Sequence, residues 1–216
     1  MDILSLGRIP MKKGLLIALE GPDGSGKSTQ IKMLCDYLEK KNYEVLLTRE
    51  PGGTSISEKI RHIILDNSNS EMCDMCEALL YASSRAQLAE EVLKPALERG
   101  SIVLSDRFVY SSIVYQGIGR GLGIDRIKYI NDAALNGVKP DLTIMINVSY
   151  EEGLKRKSNQ RDLDRLENSG NDFHRKVYEG YQYIAANMDN IIVIDGNRSL
   201  QEVHEDIVNE VEKFIR

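Results

Sequence analysis

Residues 21–28 read Gly-Pro-Asp-Gly-Ser-Gly-Lys-Ser, which matches the pattern G-x-x-x-x-G-K-[ST]. In this pattern the backbone N–H groups of a glycine-rich loop wrap the phosphates of a nucleotide. A short apolar run at residues 15–19 precedes the loop and is typical of a strand buried on both faces. The order strand, loop, helix places a helix N-terminus at the phosphates, so we predict a nucleotide-binding site. Apolar residues continue at helical spacing after the loop, at Ile31, Leu34, Cys35 and Leu38.

Individual side chains of the loop and of a later strand end point to phosphate and metal chemistry. Lys27 would reach the β- and γ-phosphates, and the Ser28 hydroxyl would bind Mg²⁺. Asp106 directly follows the predicted strand at residues 102–105, and this is where enzymes with such a loop hold the Mg²⁺ shell. We therefore predict Ser28 and Asp106 as the metal-site residues. Arg107 beside them can face a second anion.

The bulk composition is that of one globular domain. The chain has 216 residues, of which 42% are hydrophobic and 28% charged, and its net charge is −5. This acidic balance gives no overall basic field for nucleic acid. No apolar run approaches the roughly 18 residues that span a bilayer, and the first ten residues do not read as a secretory signal. We expect a cytoplasmic protein without membrane or nucleic-acid partners, with residues 1–12 as a flexible lead-in and residues 13–216 as the domain.

The three cysteines favour a reducing compartment. Cys35 lies on the apolar stripe of the helix after the loop and is interpreted as core. Cys73 and Cys76 form C-x-x-C, which could bind zinc or act as a redox pair, but the histidines show no matching ligand spacing. We interpret the two as ordinary thiols.

Alternating apolar runs and helical patterns predict the fold. The runs at 15–20, 44–48, 101–105, 141–147 and 191–194 read as strands, and helical patterns occupy 28–41, 56–65, 75–98, 124–136, 149–157, 172–188 and 199–215. Such alternation indicates a doubly wound α/β domain, a five-stranded parallel sheet with helices on both faces. The residues that carry chemistry then lie at the carboxyl ends of strands.

Three further groups of residues allow two interpretations each. Arg49 ends the second strand and could clamp a phosphate, or it could form a surface ion pair at a turn. Tyr81 and Arg85 share one face of a helix and could bind a base, although such a pair is more often a core residue beside a residue at the rim of the core. Five bases lie within residues 155–165, either as a solvated helix end or as a mobile basic lid over a triphosphate, at about 153–167.

Together these motifs resemble the thymidylate kinases, which convert dTMP to dTDP with ATP. The resemblance runs from Gly14 to the C-terminal helix. It is most specific in residues 48–54 (Thr-Arg-Glu-Pro-Gly-Gly-Thr), in 106–112 (Asp-Arg-Phe-Val-Tyr-Ser-Ser) with 115–117 (Tyr-Gln-Gly), and in 164–167 (Asp-Arg-Leu-Glu). It implies a three-layer P-loop kinase fold, Mg²⁺ with ATP, and a homodimer.

The resemblance also implies roles for single residues. Asp23 would bind the sugar 3′-OH of dTMP, and Arg49 with Arg107 would hold its phosphate. Tyr115 would crowd the 2′ position. Tyr81 would stack on the base, Arg85 would contact its O4, and Ser112 and Gln116 would line its polar edge. ATP would be bound by Gly21, Pro22, Asp23, Gly24, Ser25, Gly26, Lys27, Ser28 and Thr29, with Asn197 and Arg198 near adenine.

The loop departs from that of some family members, which carry an arginine where this chain has Gly24. Members without this arginine supply the catalytic positive charge from the lid. Ser158 and Gln160 stand where such lids often have arginines, so Arg156 and Arg161 are the candidates for the catalytic lid charge, beside the catalytic residues Lys27, Arg49 and Arg107.

Two other functions compete with this one. A kinase for a different nucleoside monophosphate or for a deoxynucleoside would share the scaffold, and a deoxynucleoside hydroxyl would need a carboxylate base, for which Glu20 is a candidate. A non-catalytic, ATP-binding regulatory module would bind ATP without acceptor-dependent turnover. Such a module has no need for two arginines aimed at a second anion.

Overall fold

Five parallel strands form a single sheet in the order β2-β3-β1-β4-β5. The computed structural model describes residues 13–157, 164–188 and 190–215. The predicted lead-in, residues 1–12, and the middle of the predicted lid, residues 158–163, lie outside these ranges. The strands are β1 Leu15–Glu20, β2 Val45–Arg49, β3 Ile102–Asp106, β4 Leu142–Asn147 and β5 Ile191–Asp195.

Helices connect successive strands and cover both faces of the sheet. They are α1 Lys27–Lys40, α2 Ser55–Leu65, α3 Asp74–Leu88, α4 Lys94–Glu98, α5 Val109–Ser112, α6 Ile124–Leu135, α7 Tyr150–Lys157, α8 Asn171–Asn187 and α9 Leu200–Ile215. A π-helical turn, Ala89–Leu93, joins α3 to α4, and a π-helical stretch, Ile113–Gly119, extends α5.

The apolar run of β1 is explained by burial on two sides. Ile17 and Leu19 pack with residues of α1 and α9, whereas Leu16 and Ala18 pack on the opposite face against α3. All four side chains are fully buried. A second cluster on the α3 face joins α8 to the π-helical stretch. The two faces of a parallel sheet are thus both covered, as an uninterrupted apolar strand requires.

The predicted fold class is confirmed, and every predicted strand agrees with an observed one to within one residue at each end. The register aligns Asp106 with Leu19 on one side and with Arg49 on the other. The carboxyl ends of β1, β2 and β3 therefore meet at one edge, beside the loop that follows β1. None of the described helices is long and apolar enough to cross a membrane.

Candidate active site

The glycine loop between β1 and α1 has a backbone that side chains would obstruct. Gly21, Gly24 and Gly26 have φ values of 141°, 78° and 90°. A Cβ at Gly24 would lie well under 3.0 Å from the main-chain oxygen of Gly153 in α7. Gly26 is the N-cap of α1, and no described side chain caps this helix. The helix N-terminus is therefore available to an anion.

Lys27 is buried and lies over its own loop. Its Nζ donates to the main-chain oxygens of Gly21 and Pro22, each at 2.8 Å, and to Ser25 Oγ at 3.3 Å. Burial, followed by the neighbouring charge of Arg107, lowers the pKa of Lys27 to about 8. An anion placed beside this ammonium group would relieve both effects, which suits a phosphate ligand.

The two residues predicted for the metal lie in contact. Ser28 Oγ donates to Asp106 Oδ2 at 2.6 Å. A hydroxyl and a carboxylate are oxygen ligands of the kind that Mg²⁺ prefers when phosphates complete its coordination. The donor set at the end of β3 therefore fits Mg²⁺.

Two cavities adjoin at this edge of the sheet. The loop cavity, of about 440 Å³, is lined by the predicted phosphate and metal residues Lys27, Ser28, Arg49, Asp106, Arg107 and Arg156. The tyrosine cavity, of about 320 Å³, is lined by the predicted acceptor residues Tyr81, Arg85, Arg107, Ser112, Tyr115 and Gln116. Both cavities share a wall made of Asp23, Ser28, Glu50, Arg61, Arg107 and Glu167.

Arg107 stands in the shared wall on a backbone with φ of 70°, in the left-handed region that few non-glycine residues adopt. Its guanidinium forms an ion pair with Asp23. It also donates to Ser111 Oγ at 3.1 Å and to Tyr181 Oη at 3.0 Å. This charge is thereby fixed between the two cavities, where it can meet anions from either side.

Arg49 lies in the loop cavity and is held by Glu58. Its Nη2 donates to both carboxylate oxygens of Glu58, at 3.0 and 2.9 Å, and Gly53 N donates to the same group. Both interpretations of Arg49 thus coexist here: it forms an ion pair with Glu58 and it faces the cavity. Sequence reasoning missed Glu58 and also Arg61, a residue of the shared wall whose Nη1 donates to Pro51 O at 2.9 Å.

Arg85 is buried beneath the tyrosine cavity and already has several partners. It forms an ion pair with Glu50 and hydrogen bonds to Ser112 Oγ at 3.0 Å and Phe108 O at 3.1 Å. Asn131 also accepts from it. Its predicted contact with a base therefore requires exchange of one of these partners, and it stays a prediction.

Glu20 caps the helix that lines the tyrosine cavity. Its carboxylate accepts from Phe108 N at 2.9 Å, Ser111 N at 3.1 Å and Ser111 Oγ at 2.6 Å. A carboxylate with these three donors is committed to the start of α5. The geometry thus gives Glu20 a structural role instead of that of a base toward a nucleoside hydroxyl.

Arg156 connects α7 to the phosphate loop. Its Nε donates to Glu152 at 2.7 Å, while Nη1 reaches Gly24 O at 3.5 Å and Nη2 reaches Gly196 O at 3.1 Å. The predicted catalytic lid arginine Arg161 falls in residues 158–163, outside the described residues, as do Ser158 and Gln160.

The two residues predicted near adenine are exposed on the segment after β5. Asn197 Oδ1 accepts from Ser149 N at 3.0 Å, and Arg198 forms an ion pair with Asp206. Neither lines the loop cavity or the tyrosine cavity. Their role toward adenine stays a prediction.

Cys73 and Cys76 are exposed free thiols at the start of α3. Within the described part of the chain, no cluster of histidine, cysteine and acidic residues could hold a metal ion. The interpretation of ordinary thiols stays a prediction.

Comparisons with known proteins agree on one family. A family model described as thymidylate kinase matches residues 19–207. The thymidylate kinase of Thermoanaerobacter sp. (strain X514) is 50% identical over 204 residues, which is 94% of this chain and 100% of the relative. That of Finegoldia magna is 52% identical over 189 residues, 88% of this chain and 93% of the relative. The crystal structure of thymidylate kinase from Ehrlichia chaffeensis has a TM-score of 0.74 at 30% identity and covers 93% of this chain and 99% of that one.

Proposed function

The chain belongs to the thymidylate kinase family, and from this membership we infer that it transfers the γ-phosphoryl group of ATP to dTMP, giving dTDP for dTTP synthesis. The observation that carries the assignment to the site is the pair of adjoining cavities with a common charged wall. One cavity contains the phosphate loop, and the other presents aromatic and amide groups suited to a base.

The reaction requires positioning and charge stabilisation more than proton removal. The nucleophile is a phosphate oxygen of dTMP, which is already ionised at neutral pH, so no side chain has to act as a base. Arg107 and Arg49 would hold this acceptor phosphate, and Lys27 would hold the β- and γ-phosphates of ATP. Arg107 is held in the wall between the cavities by Tyr181 and Asp23, which supports this assignment.

Ser28 and Asp106 would hold Mg²⁺, which supplies neutralising charge to the phosphates when it is bound. Asp106 therefore serves the metal shell and not proton abstraction. The contact between the Ser28 hydroxyl and the Asp106 carboxylate supports the pairing of these two residues.

Recognition of dTMP would use the tyrosine cavity. Tyr81 would stack on thymine, Ser112 and Gln116 would line its polar edge, and Tyr115 would crowd the 2′ position. Arg85 would meet O4 by exchanging a partner. Asp23, now paired with Arg107, would bind the 3′-OH.

A basic lid at about 153–167 would close over the phosphates and exclude water, which otherwise competes as acceptor. Arg156 and Arg161 are the arginines of this lid that would contact the transferring phosphoryl group. The hydrogen bonds of Arg156 to Gly24 and Gly196 support its assignment.

The protein would act as a cytoplasmic homodimer. Helix α3 packs against both α2 and α6. These three helices carry exposed apolar side chains, namely Ile56, Ile63, Leu79 and Tyr129. Exposed apolar side chains on neighbouring helices favour association. Light scattering after size-exclusion chromatography tests it: the mass of one chain, 24.3 kDa, would refute the dimer.

The activity is tested by ADP release with Mg·ATP and a panel of acceptors: dTMP, dUMP, dGMP, dCMP, AMP and thymidine. We expect dTMP to stimulate turnover most and dTDP to be the product. Stimulation chiefly by another acceptor would indicate a different nucleotide kinase. ATP binding without any acceptor-stimulated turnover would indicate a regulatory module.

A further inference from the structure

A buried carboxylate lies behind the tyrosine cavity. Glu77, in the first turn of α3, is only 1% exposed, although glutamate is almost never buried unless it is paired. Its Oε1 accepts from Gln116 Nε2 at 3.0 Å and from Arg120 Nε at 3.3 Å. Its Oε2 accepts from Arg120 Nη2 at 3.1 Å and from Arg165 Nη2 at 2.7 Å. Glu77 therefore joins a residue of the cavity wall to two arginines outside it.

The ionised form of Glu77 is favoured. Burial by itself would raise the pKa of this carboxyl group, but hydrogen bonds from Arg120 and Gln116 hold its pKa below the ordinary value. An ionised carboxylate can only accept hydrogen bonds. It therefore selects the NH₂ end of the Gln116 amide, and the assignment of the two amide atoms follows from this partner.

The opposite end of that amide is left without a partner. Gln116 Oε1 is buried and accepts no hydrogen bond from any described residue. Gln116 lines the tyrosine cavity beside Tyr115. A buried acceptor without a donor costs about 1–3 kcal/mol, which the N–H group of a ligand would recover.

We propose that Glu77 is a positioning residue that sets which pyrimidine the tyrosine cavity accepts, because it turns the Gln116 amide so that Oε1 is offered to the base. This rests on the proposed function. Thymine has an N–H donor at N3 between two carbonyl oxygens, whereas cytosine has an accepting N3 and an amino group in place of O4. Oε1 accepts a hydrogen bond from N3–H of thymine. Toward cytosine it faces N3, which is also an acceptor, so no hydrogen bond forms. Glu77 thus selects against dCMP without touching the base.

The variant Glu77→Gln alters this orientation with little change of shape. Arg120 and Arg165 are donors only, so their two Nη2 groups, at 3.1 and 2.7 Å, take the carbonyl oxygen of the new amide, and the longer bond from Arg120 Nε, at 3.3 Å, is given up. Its NH₂ group then faces Gln116, which turns to present Oε1 to position 77 and Nε2 to the base. An N–H group at that place suits cytosine N3 better than thymine N3–H.

The test compares kcat/KM for dTMP with kcat/KM for 5-methyl-dCMP, which keeps the methyl group and differs only along the polar edge. We expect the wild-type ratio to be at least about 100, because the wrong edge leaves buried polar groups unpaired. In E77Q the ratio should fall about tenfold or more. In the matched control R120Q, which keeps the bond between Glu77 and Gln116, the ratio should stay within about twofold of wild type.

Two further comparisons protect the test. If E77Q fails to fold, the double variant E77Q/R120Q replaces it, because this variant removes one charge of each sign. Its ratio of kcat/KM values is compared with that of R120Q, and the same fall is expected. In a Gln116→Ala background, E77Q should leave the ratio unchanged, as a double-mutant cycle requires. A proportional loss of both activities, with the ratio unaltered, would overturn the proposal and leave Glu77 a merely structural role. Wild-type protein without dTMP-dependent turnover would instead overturn the proposed function.

Discussion

A single methyl group at Gly24 tests whether α7 lies on the phosphate loop as the structure shows. The Cβ of Gly24→Ala would approach the Gly153 main chain to well under 3.0 Å, whereas ordinary contacts start at 3.4 Å. Backbone cannot rotate aside as a side chain can, so loop and helix must separate by on the order of 1 Å. The φ of 78° adds a left-handed strain of about 1–2 kcal/mol. The same contact explains why this chain has no room for an arginine at position 24.

Steady-state kinetics with dTMP measure the effect of the displaced loop on activity, and thermal unfolding measures the effect of the strain on stability. A displacement of about 1 Å at the phosphates should lower kcat/KM about 100-fold. The control is Gly121→Ala, whose φ is 72° and whose Cβ would have no described atom within 4 Å. It should lose about 1–2 kcal/mol of stability, a fall in Tm of about 2–8 °C, and keep its activity within about twofold. A G24A enzyme as active as G121A would refute the packing of α7 on the loop.

Three other outcomes are expected from the site. Lys27→Ala should reduce kcat by orders of magnitude with the circular dichroism spectrum unchanged; near-normal turnover would remove Lys27 from the phosphate site. Glu20→Gln weakens the hydrogen bonds to Phe108 and Ser111, so urea unfolding should show a loss of about 1.5–3 kcal/mol with dTMP phosphorylation retained, and complete inactivity of a folded variant would restore its role as a base. Because the pKa of Glu77 is lowered on folding, its ionised form stabilises the protein above the unfolded pKa of about 4.3 and this contribution is lost as pH falls through the folded value. The difference in unfolding free energy between wild type and E77Q should therefore be constant near neutral pH and shrink below about pH 4; a difference that grows in acid would contradict this sign.

Local patterns predicted the sheet because each strand has a short apolar run that needs no distant partner to be recognised. The segment at 109–119 was missed for the opposite reason. It contains two serines, four β-branched residues and two glycines, all weak helix formers, and Glu20 caps its start from 88 positions away. Tertiary contacts here outweigh propensity, and the π-helical stretch that results carries Tyr115 and Gln116.

The candidate site was predictable where residues adjoin a strand end. Arg49 and Asp106 end apolar strands and Arg107 follows one, and the register pairs Arg49 with Asp106. Glu77 and Arg61 have no such signal, because each lies inside a helical pattern. A charged residue in such a pattern is equally well explained as part of the solvent-exposed face of the helix. The partners of Glu77 lie 39, 43 and 88 positions along the chain, and only the folded structure shows them.

A single turnover with [γ-³²P]ATP measures whether the γ-phosphoryl group passes from ATP to dTMP. With enzyme in excess over ATP and with dTMP present, we expect the label to pass to dTDP in step with ADP formation and little of it to reach inorganic phosphate. Label found in inorganic phosphate alone, or in the product of thymidine but not of dTMP, would contradict it.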